Sequence, residues 1–149
     1  MSEPNYVRPD LLLLGEDHIR AYRETDGEVG YLWNGVPTLL LTTTGRRSGQ
    51  ARTSPLIFGR DGDDFLVIAS TGGAPRHPAW YLNLQTDPQA EIQVRAERIA
   101  VTARTATPEE KPRLWKIMTE SWPNYDVYQS RTERVIPLVV LSRGAEATA

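Results

Sequence analysis

Short β-type runs dominate the hydrophobic pattern of this chain. Residues 90–94 alternate apolar and polar side chains, and residues 99–103 repeat the alternation after a turn near residues 96 and 97. Such alternation is typical of half-buried antiparallel strands. Residues 65–69 are apolar on both faces, which predicts a strand in the interior of a sheet.

Three further segments complete the predicted sheet. Residues 37–44 and 53–59 are β-type runs on either side of a polar turn, and the Asp-Gly pair within residues 60–63 predicts a tight hairpin after them. Residues 136–141 form the last predicted strand. Because proline cannot donate a ladder hydrogen bond, Pro137 predicts that this strand begins at a sheet edge.

Helical spacing is found in two segments before the paired strands. The first has Asp10 as its cap and one apolar face, made of Leu11, Leu14, His18, Ile19 and Tyr22. Residues 31–33 follow it in a predicted loop. Residues 77–84 predict a short helix with a proline in its first turn, closed by the Asp-Pro pair at residues 87 and 88.

Two more helices are predicted after the paired strands. Thr107 and Glu110 form a capping box, with Pro108 at the first helical position. The buried face of this helix comprises Leu114, Trp115, Ile117, Met118 and Trp122. Pro112 lacks a backbone donor, which predicts a small distortion near the start of the helix. Residues 125–129 predict a further short helix after a Trp-Pro-Asn break.

The order of elements predicts the fold class. Consecutive hairpins indicate a mainly antiparallel sheet, so we expect an α+β protein, a split β-barrel with helices packed on it. The missing strand–helix alternation argues against a Rossmann arrangement. We expect an N-terminal segment with an amphipathic helix (residues 1–30), the barrel domain (residues 31–143) and a disordered tail (residues 144–149).

Composition excludes several classes of function. The 149 residues carry a net charge of −2, so a generally basic nucleic-acid binder is excluded. The absence of cysteine removes disulfides, thiol nucleophiles and thiolate metal sites, and it agrees with a cytoplasmic location. No apolar run approaches the length of a membrane span, and no signal peptide is evident. Leu12 and Leu13 make the first helix more apolar than one core contact requires. Burial against the barrel explains these leucines, and a flap over a site or a shallow contact with the inner face of the membrane also stays open.

A polar turn carries most of the candidate chemistry. Arg46, Arg47 and Arg52 lie in a turn that contains two glycines, close to three hydroxyls from Ser48, Thr53 and Ser54. Glycine permits a turn that exposes backbone N–H groups, and guanidinium charge beside such a turn suits a phosphate or carboxylate. The alternative interpretation is a polar hairpin whose arginines are solvated.

The remaining residues favour a bound cofactor over a catalytic triad. His18 and His77 have no second imidazole at ligand spacing, so we predict no metal site, and no serine-hydrolase motif is present. If the protein is an enzyme, a cofactor should therefore perform the difficult step. Trp80 and Tyr81 could wall a flat ring and Asn83 could hydrogen-bond its edge, although core packing explains Trp80 equally well.

Several sequence blocks together resemble one known family, the deazaflavin-dependent nitroreductases. The blocks are GRRSGQxR at residues 45–52, ASxGG at 69–73, PxWYxNL at 78–84 and YxxYQxxTxRxIP at 125–137. The resemblance implies a split β-barrel and the reduced deazaflavin coenzyme F420 as hydride donor. It also implies a small electron-poor acceptor, a quinone or a nitroaromatic.

The resemblance also implies roles for particular residues. The segments that would contact the coenzyme are Arg46, Arg47, Ser48, Arg52, Thr53, Ser54, Pro55, Leu56, Ile57, Ile68, Ala69, Ser70, Thr71, Ala79, Trp80, Tyr81, Leu82, Asn83 and Tyr125. The residues that would line the acceptor side, where a hydroxyl orients the acceptor or supplies a proton, are Ser70, Tyr125 and Tyr128. The sequence departs from the family's pattern at two positions. Arg47 stands where lysine is common, and Trp122 stands where the family's nitroreductase has a tyrosine.

Three alternatives remain open at the level of sequence. They are an FMN-dependent split-barrel reductase, a non-catalytic carrier of F420, and a steroid- or lipid-handling surface protein anchored by the first helix. The sequence does not distinguish a monomer from a homodimer.

Overall fold

The computed structural model describes residues 15–143, which form four α-helices and eight strands. The helices are α1 (Gly15–Glu24), α2 (Ala79–Thr86), α3 (Lys111–Ser121) and α4 (Asn124–Ser130). The strands are β1 (Leu32–Trp33), β2 (Val36–Thr44), β3 (Ala51–Ile57), β4 (Gly59–Asp61), β5 (Asp64–Ile68), β6 (Gln89–Val94), β7 (Glu97–Thr105) and β8 (Leu138–Arg143). A 3₁₀ turn, Thr71–Gly73, follows β5. None of the described helices is long and apolar enough to cross a membrane.

The strands form one curled antiparallel sheet. Its order is β1-β2-β6-β7-β8-β5-β4, and β3 pairs with β2. Since only Phe58 separates β3 from β4, the chain itself brings the two ends of this sheet together. The backbone N–H of Phe58 donates to the carbonyl of Pro37 at 3.1 Å and fixes that corner. The expected split β-barrel is therefore confirmed.

Alternation along the strands divides the core into an inner and an outer layer. On β5, Phe65 and Val67 point into the barrel, whereas Leu66 and Ile68 pack outward. The outer layer is covered by α3 through Leu114 and Met118 and by α4 through Tyr125. Both faces of β5 are buried and it pairs with both β4 and β8, so the predicted interior strand is confirmed.

Helix α1 is attached to the barrel by buried polar contacts. The Tyr22 hydroxyl lies 3.0 Å from the carbonyl oxygen of Thr38 and accepts the Arg95 N–H at 2.8 Å. The Nε2 atom of His18 lies 2.8 Å from the Gly30 carbonyl oxygen, so it carries the proton that it donates. The predicted face of His18, Ile19 and Tyr22 is confirmed. The cap and leucines predicted at residues 10–14, and the tail at 144–149, lie outside the described residues.

Three details of the predicted elements were wrong. The prediction of a sheet edge at Pro137 fails because β8 lies between β7 and β5. The proline is tolerated because it stands just before the first ladder pair, Leu138 with Ile68, and only its carbonyl is used, by the N–H of Ala69. The loop predicted at residues 31–33 contains the short strand β1, which pairs with β2.

The third difference lies at the start of α3. The capping box forms as predicted, since the Thr107 N–H donates to the Glu110 carboxylate at 2.8 Å and the Glu110 N–H donates to the Thr107 hydroxyl at 3.3 Å. The α-helix begins only at Lys111, however. Pro112 therefore lies in the first turn, where a missing backbone donor costs nothing.

Candidate functional site

Two adjoining cavities form a continuous cleft on the barrel. The first, here called the aromatic cavity, has a volume of about 560 Å³ and is lined by Trp33, Trp80, Trp122, Tyr125 and Tyr128 among others. The second, here called the arginine cavity, has a volume of about 370 Å³ and lies against the turn between β2 and β3. The two share Ser54, Ala79 and Trp80, so a single ligand can extend from one into the other.

The arginine turn is closed by its own backbone. The Gly45 N–H donates to the Gln50 carbonyl and the Gly49 N–H donates to the Gly45 carbonyl, both at 2.8 Å. Gly49 has a φ of 73°, a conformation that favours glycine. A side chain at Gly45 would place its Cβ 2.8 Å from the Ser48 hydroxyl oxygen. Both glycines therefore serve the shape of the turn.

Asn83 on α2 holds this turn against the barrel. Its Oδ1 atom accepts the backbone N–H of Arg46 at 3.1 Å and the Nη1–H of the same residue at 3.0 Å. Its Nδ2 atom donates to the Thr43 hydroxyl at 3.1 Å. Asn83 and Thr43 are both buried. The sequence analysis suggested that Asn83 could hydrogen-bond the edge of a flat ring. In the structure its amide positions Arg46.

The other two arginines have no partner within the described part of the chain. Arg47 and Arg52 are exposed, and neither side chain makes a hydrogen bond or ion pair with residues 15–143. Among the described residues, no carboxylate lines the arginine cavity. The positive charge of the turn is therefore available to an anionic ligand.

Strand β3 forms the wall between this turn and the aromatic cavity. It pairs only with β2 among the described strands, and residues 54–57 face the aromatic cavity. The Thr53 hydroxyl lies 2.9 Å from both the Thr42 hydroxyl and Nη2 of Arg23 on α1. Arg23 was not anticipated, since nothing in the sequence pairs α1 with β3.

Two hydroxyls in the aromatic cavity have no protein partner in the described residues. Neither the Ser70 nor the Tyr125 hydroxyl makes a hydrogen bond there, although both residues are buried and line the cavity. The Tyr128 hydroxyl accepts a long bond, 3.5 Å, from Nδ2 of Asn124. Burial raises the pKa of Tyr125, so its phenol stays protonated throughout the neutral range.

Arg134 fixes the polar turn after β5. Its Nη2 donates to the Ser70 carbonyl at 2.8 Å and its Nε donates to the Ala74 carbonyl at 2.8 Å. On the other side, a Cβ on Gly73 would lie 2.6 Å from the Tyr128 carbonyl oxygen, so the turn packs directly on α4. These contacts place Ser70 beside Tyr125 and Tyr128. Arg134 belonged to a sequence block, but its role depends on chain segments that meet only in the fold.

The structure brings most predicted site residues to the cleft. Those that line the aromatic cavity are Ser54, Pro55, Leu56, Ile57, Ile68, Ser70, Thr71, Ala79, Trp80, Tyr125 and Tyr128. Those that line the arginine cavity are Arg46, Arg47, Ser48, Arg52, Thr53, Ser54, Ala79, Trp80 and Asn83.

Three predicted residues line neither cavity. Ala69 is buried in the barrel core, and Leu82 lines a third cavity beside Arg76. The Tyr81 hydroxyl lies 2.8 Å from the Thr105 hydroxyl, on the far side of α2. The PxWYxNL block thus contributes Trp80 and Asn83 to the cleft and Tyr81 to the core.

Sequence reasoning missed several residues of the aromatic cavity. Trp33 packs on Trp122 with ring centroids 5.4 Å apart, and both line the cavity. His18 and Thr38 contribute from α1 and β2. In the sequence, Trp33 is noticeable only as an aromatic residue before an Asn-Gly pair. That pattern does not indicate where its side chain points.

The comparisons with known proteins identify the family of this chain. A coenzyme-binding split β-barrel is the class that the fold and cleft define. Residues 15–143 match the model of the F420H(2)-dependent quinone reductase family, and the chain belongs to that family. A Mycobacterium tuberculosis protein named F420H(2)-dependent quinone reductase is 48% identical over 130 residues, 85% of this chain and 87% of that protein.

Two solved structures share the fold at substantial identity. One, titled as an F420-H2 dependent reductase, has a TM-score of 0.67 and 36% identity over 71% of this chain and 94% of its own. Another, whose title describes a domain-swapped dimer, has a TM-score of 0.69 and 34% identity over 85% of this chain and 98% of its own. The expected family, reaction class and coenzyme are confirmed: the protein is an oxidoreductase that uses reduced F420.

The cleft fits this coenzyme by its donor set. A cavity with aromatic walls and few polar groups suits a flat ring, and the adjoining turn presents three guanidinium groups without a neighbouring carboxylate. A deazaflavin coenzyme has a flat ring followed by a chain that carries a phosphate and acidic groups, which matches this order. The residues present therefore fit the group.

Proposed function

We propose that the cleft binds F420 with its ring in the aromatic cavity and its phosphate in the arginine cavity, and that a quinone enters beside the ring. The observation that carries this proposal is the continuity of the two cavities through Ser54, Ala79 and Trp80. One end of the cleft recognises a planar system and the other recognises negative charge. A solvated polar hairpin would not require such a connection.

The arginine turn provides the anchor. Arg47 and Arg52 have no acidic partner within residues 15–143, and Arg46 is held in place by Asn83. An anchor that is already ordered loses less conformational entropy when a ligand binds. Charge-assisted hydrogen bonds from guanidinium groups to phosphate oxygens then fix the position of the attached ring.

The reaction itself needs one hydride and one proton for each quinone reduced to a hydroquinone. The bound coenzyme supplies the hydride. The chain supplies position and a proton donor, since hydride transfer between two flat rings depends on their alignment. The hydroxyls of Tyr125, whose phenol is neutral, and of Ser70 face the cavity without a partner among the described residues, which supports their proposed role in orienting the acceptor oxygen and holding the proton.

The shape of the aromatic cavity favours a flat acceptor. Trp33, Trp122 and Tyr128 offer ring faces and edges with few hydrogen-bonding groups, which suits quinones and also admits nitroaromatics. The natural acceptor is therefore proposed as a quinone, with nitroaromatics as surrogate substrates.

A coenzyme panel tests the proposal. Purified protein is titrated with F420 and with FMN, and binding is followed by fluorescence. Reduced F420 is then mixed with menadione, with and without protein. We expect binding of F420 in preference to FMN, and faster oxidation with protein present. Preference for FMN would support a flavin reductase, and F420 binding without faster oxidation would support a carrier; either result overturns the proposal.

The assembly and location of the protein are also proposals. A homodimer is supported by the solved relative whose title describes a domain-swapped dimer. Sedimentation equilibrium of the full chain tests it, and a single species of monomer mass would contradict it. We also propose a cytoplasmic protein that touches the inner membrane face through its first residues, which cell fractionation and vesicle sedimentation test. Failure to sediment with anionic vesicles would contradict the membrane contact.

A further inference from the structure

We propose that a third cavity, here called the rear cavity, binds the acidic tail of the coenzyme beyond its phosphate. This inference rests on the proposed function. The rear cavity has a volume of about 470 Å³ and lies between α2, the loop before it and the segment that precedes β8. Its basic lining residues are Arg46, Arg76, His77 and Arg134.

The rear cavity is a continuation of the cleft. It shares Arg46 and Ala79 with the arginine cavity, and Ala79 also lines the aromatic cavity. A ligand that leaves the arginine cavity past Arg46 therefore enters the rear cavity directly. The ring, phosphate and tail of one molecule would follow the three cavities in that order.

The charges in the rear cavity have no acidic neighbour among the described residues. No carboxylate from residues 15–143 lines it. The guanidinium of Arg134 donates to the carbonyls of residues 69, 70 and 74, which are neutral acceptors, so its positive charge remains. The exposed Arg76 side chain makes no ion pair with any residue in the described range, 15–143. A set of cations without neighbouring acids attracts an anion.

His77 adds a hydrogen-bond donor to this set. Nη1 of Arg134 lies 3.1 Å from Nδ1 of His77. Because a guanidinium only donates, Nδ1 is the acceptor, and the proton of the neutral ring must lie on Nε2. His77, which lines the cavity, therefore keeps an N–H donor on Nε2 while Arg134 holds the ring in place.

The ligand chemistry that fits is a flexible chain of carboxylates. The volume exceeds the space that one phosphate occupies, and the cations lie on three different chain segments rather than around one point. A deazaflavin coenzyme whose tail carries several carboxylates provides such a chain. The rear cavity then distinguishes coenzymes with a long acidic tail from those with none.

The test compares two forms of the coenzyme and two variants. Dissociation constants are measured by fluorescence for F420 with a tail of several glutamates and for the form that ends before the first glutamate. Arg76→Gln removes a charge that lines only the rear cavity. Arg98→Gln removes an equal charge on β7, where the side chain lines none of the three cavities.

We expect Arg76→Gln to weaken binding of the long-tailed form about threefold at low salt, the range for an exposed charge contact, and to leave the short form unchanged. The difference should decrease as salt is added. An equal effect on both forms, no effect on either, or the same effect from Arg98→Gln would overturn the inference. If the wild-type protein binds neither form, the proposed function itself fails, which is a separate outcome.

Discussion

Oδ1 of Asn83 accepts both the backbone N–H and the guanidinium of Arg46, at 3.1 and 3.0 Å. One buried side chain on α2 thus sets the position of a turn that lies between β2 and β3. Through its Nδ2 it also reaches Thr43 on β2. The arginine turn is therefore ordered by the barrel before any ligand binds.

Replacing Asn83 by alanine should weaken both the fold and the coenzyme site. The change leaves the buried Thr43 hydroxyl and the Arg46 N–H without their partners, which should lower the free energy of unfolding by about 1–3 kcal/mol. Urea denaturation measures this loss, and fluorescence titration measures coenzyme affinity. Thr43→Val serves as the control, since it removes one of the Asn83 bonds and keeps both contacts to Arg46. Equal loss of affinity in the two variants would contradict a specific role for the Arg46 contacts.

Arg52→Ala should raise the coenzyme dissociation constant about tenfold or more, because a hydrogen bond to a charged group contributes roughly 1.5–3 kcal/mol. Stability should change little, since the Arg52 side chain has no partner in the described residues. Arg98→Ala alters the net charge equally on a distant strand and should retain affinity. A titration in which Arg52→Ala binds like the wild type would remove this residue from the site.

Tyr125→Phe should lower turnover by about tenfold or more while coenzyme affinity stays within twofold, because a positioned proton donor contributes at least that much. The hydroxyl has no protein partner in the described residues, so its removal leaves no orphaned group. Steady-state kinetics with menadione and a binding titration separate the two effects. Tyr31→Phe, outside the cleft, is the control. Parallel losses in turnover and affinity would indicate that Tyr125 acts by packing alone.

Gly73→Ala should be more damaging than an ordinary substitution of a glycine with positive φ. A Cβ at Gly73 would lie 2.6 Å from the Tyr128 carbonyl oxygen, and φ is 87°. We expect a loss of at least about 2 kcal/mol in the free energy of unfolding, from strain and overpacking together. Gly62 has a φ of 61° and open space around it, so Gly62→Ala should cost only about 1 kcal/mol. Equal losses from the two variants would mean that α4 moves to accommodate the added methyl group without a loss of stability.

Acid stability should depend on Glu110. The Arg104 guanidinium and the Thr107 N–H lower the pKa of its carboxyl to about 2, from 4.5. Between those pH values the unfolded chain binds the proton and the native protein does not, so stability falls as the pH decreases through this window. Glu110→Gln should flatten that part of the stability curve, as measured by urea denaturation at each pH. Glu109→Gln, in the same turn, should leave that part of the stability curve steep. If this variant flattens the curve as much as Glu110→Gln does, the effect is one of net charge.

The interior of the fold was largely predictable from the sequence. The period of two in residues 90–94 and 99–103 predicted the β6–β7 hairpin, whose inward residues Ile92 and Ile99 pair directly. The Thr107–Glu110 capping box formed as predicted because its two hydrogen bonds are local. Local patterns succeed where the contacts that decide them lie within a few residues.

The candidate site was predictable only in part. The arginine turn and the aromatic blocks could be found in the sequence and through the family resemblance. The supporting contacts could not: Arg134 reaches the turn after β5 from more than 60 positions away, and Trp33 meets Trp122 across the cavity. The error at Pro137 has the same origin, since the neighbours of a strand are set by the whole sheet.

By itself the sequence determined the periodicities, the turns and the presence of an arginine-rich turn, because each depends on neighbouring residues. Only the tertiary structure decided that this turn adjoins an aromatic cavity and that a second basic cavity continues from it. The physical reason is that a cavity is enclosed by side chains from separate segments. Their juxtaposition follows from the closure of the sheet and the packing of helices on it, which no local pattern encodes.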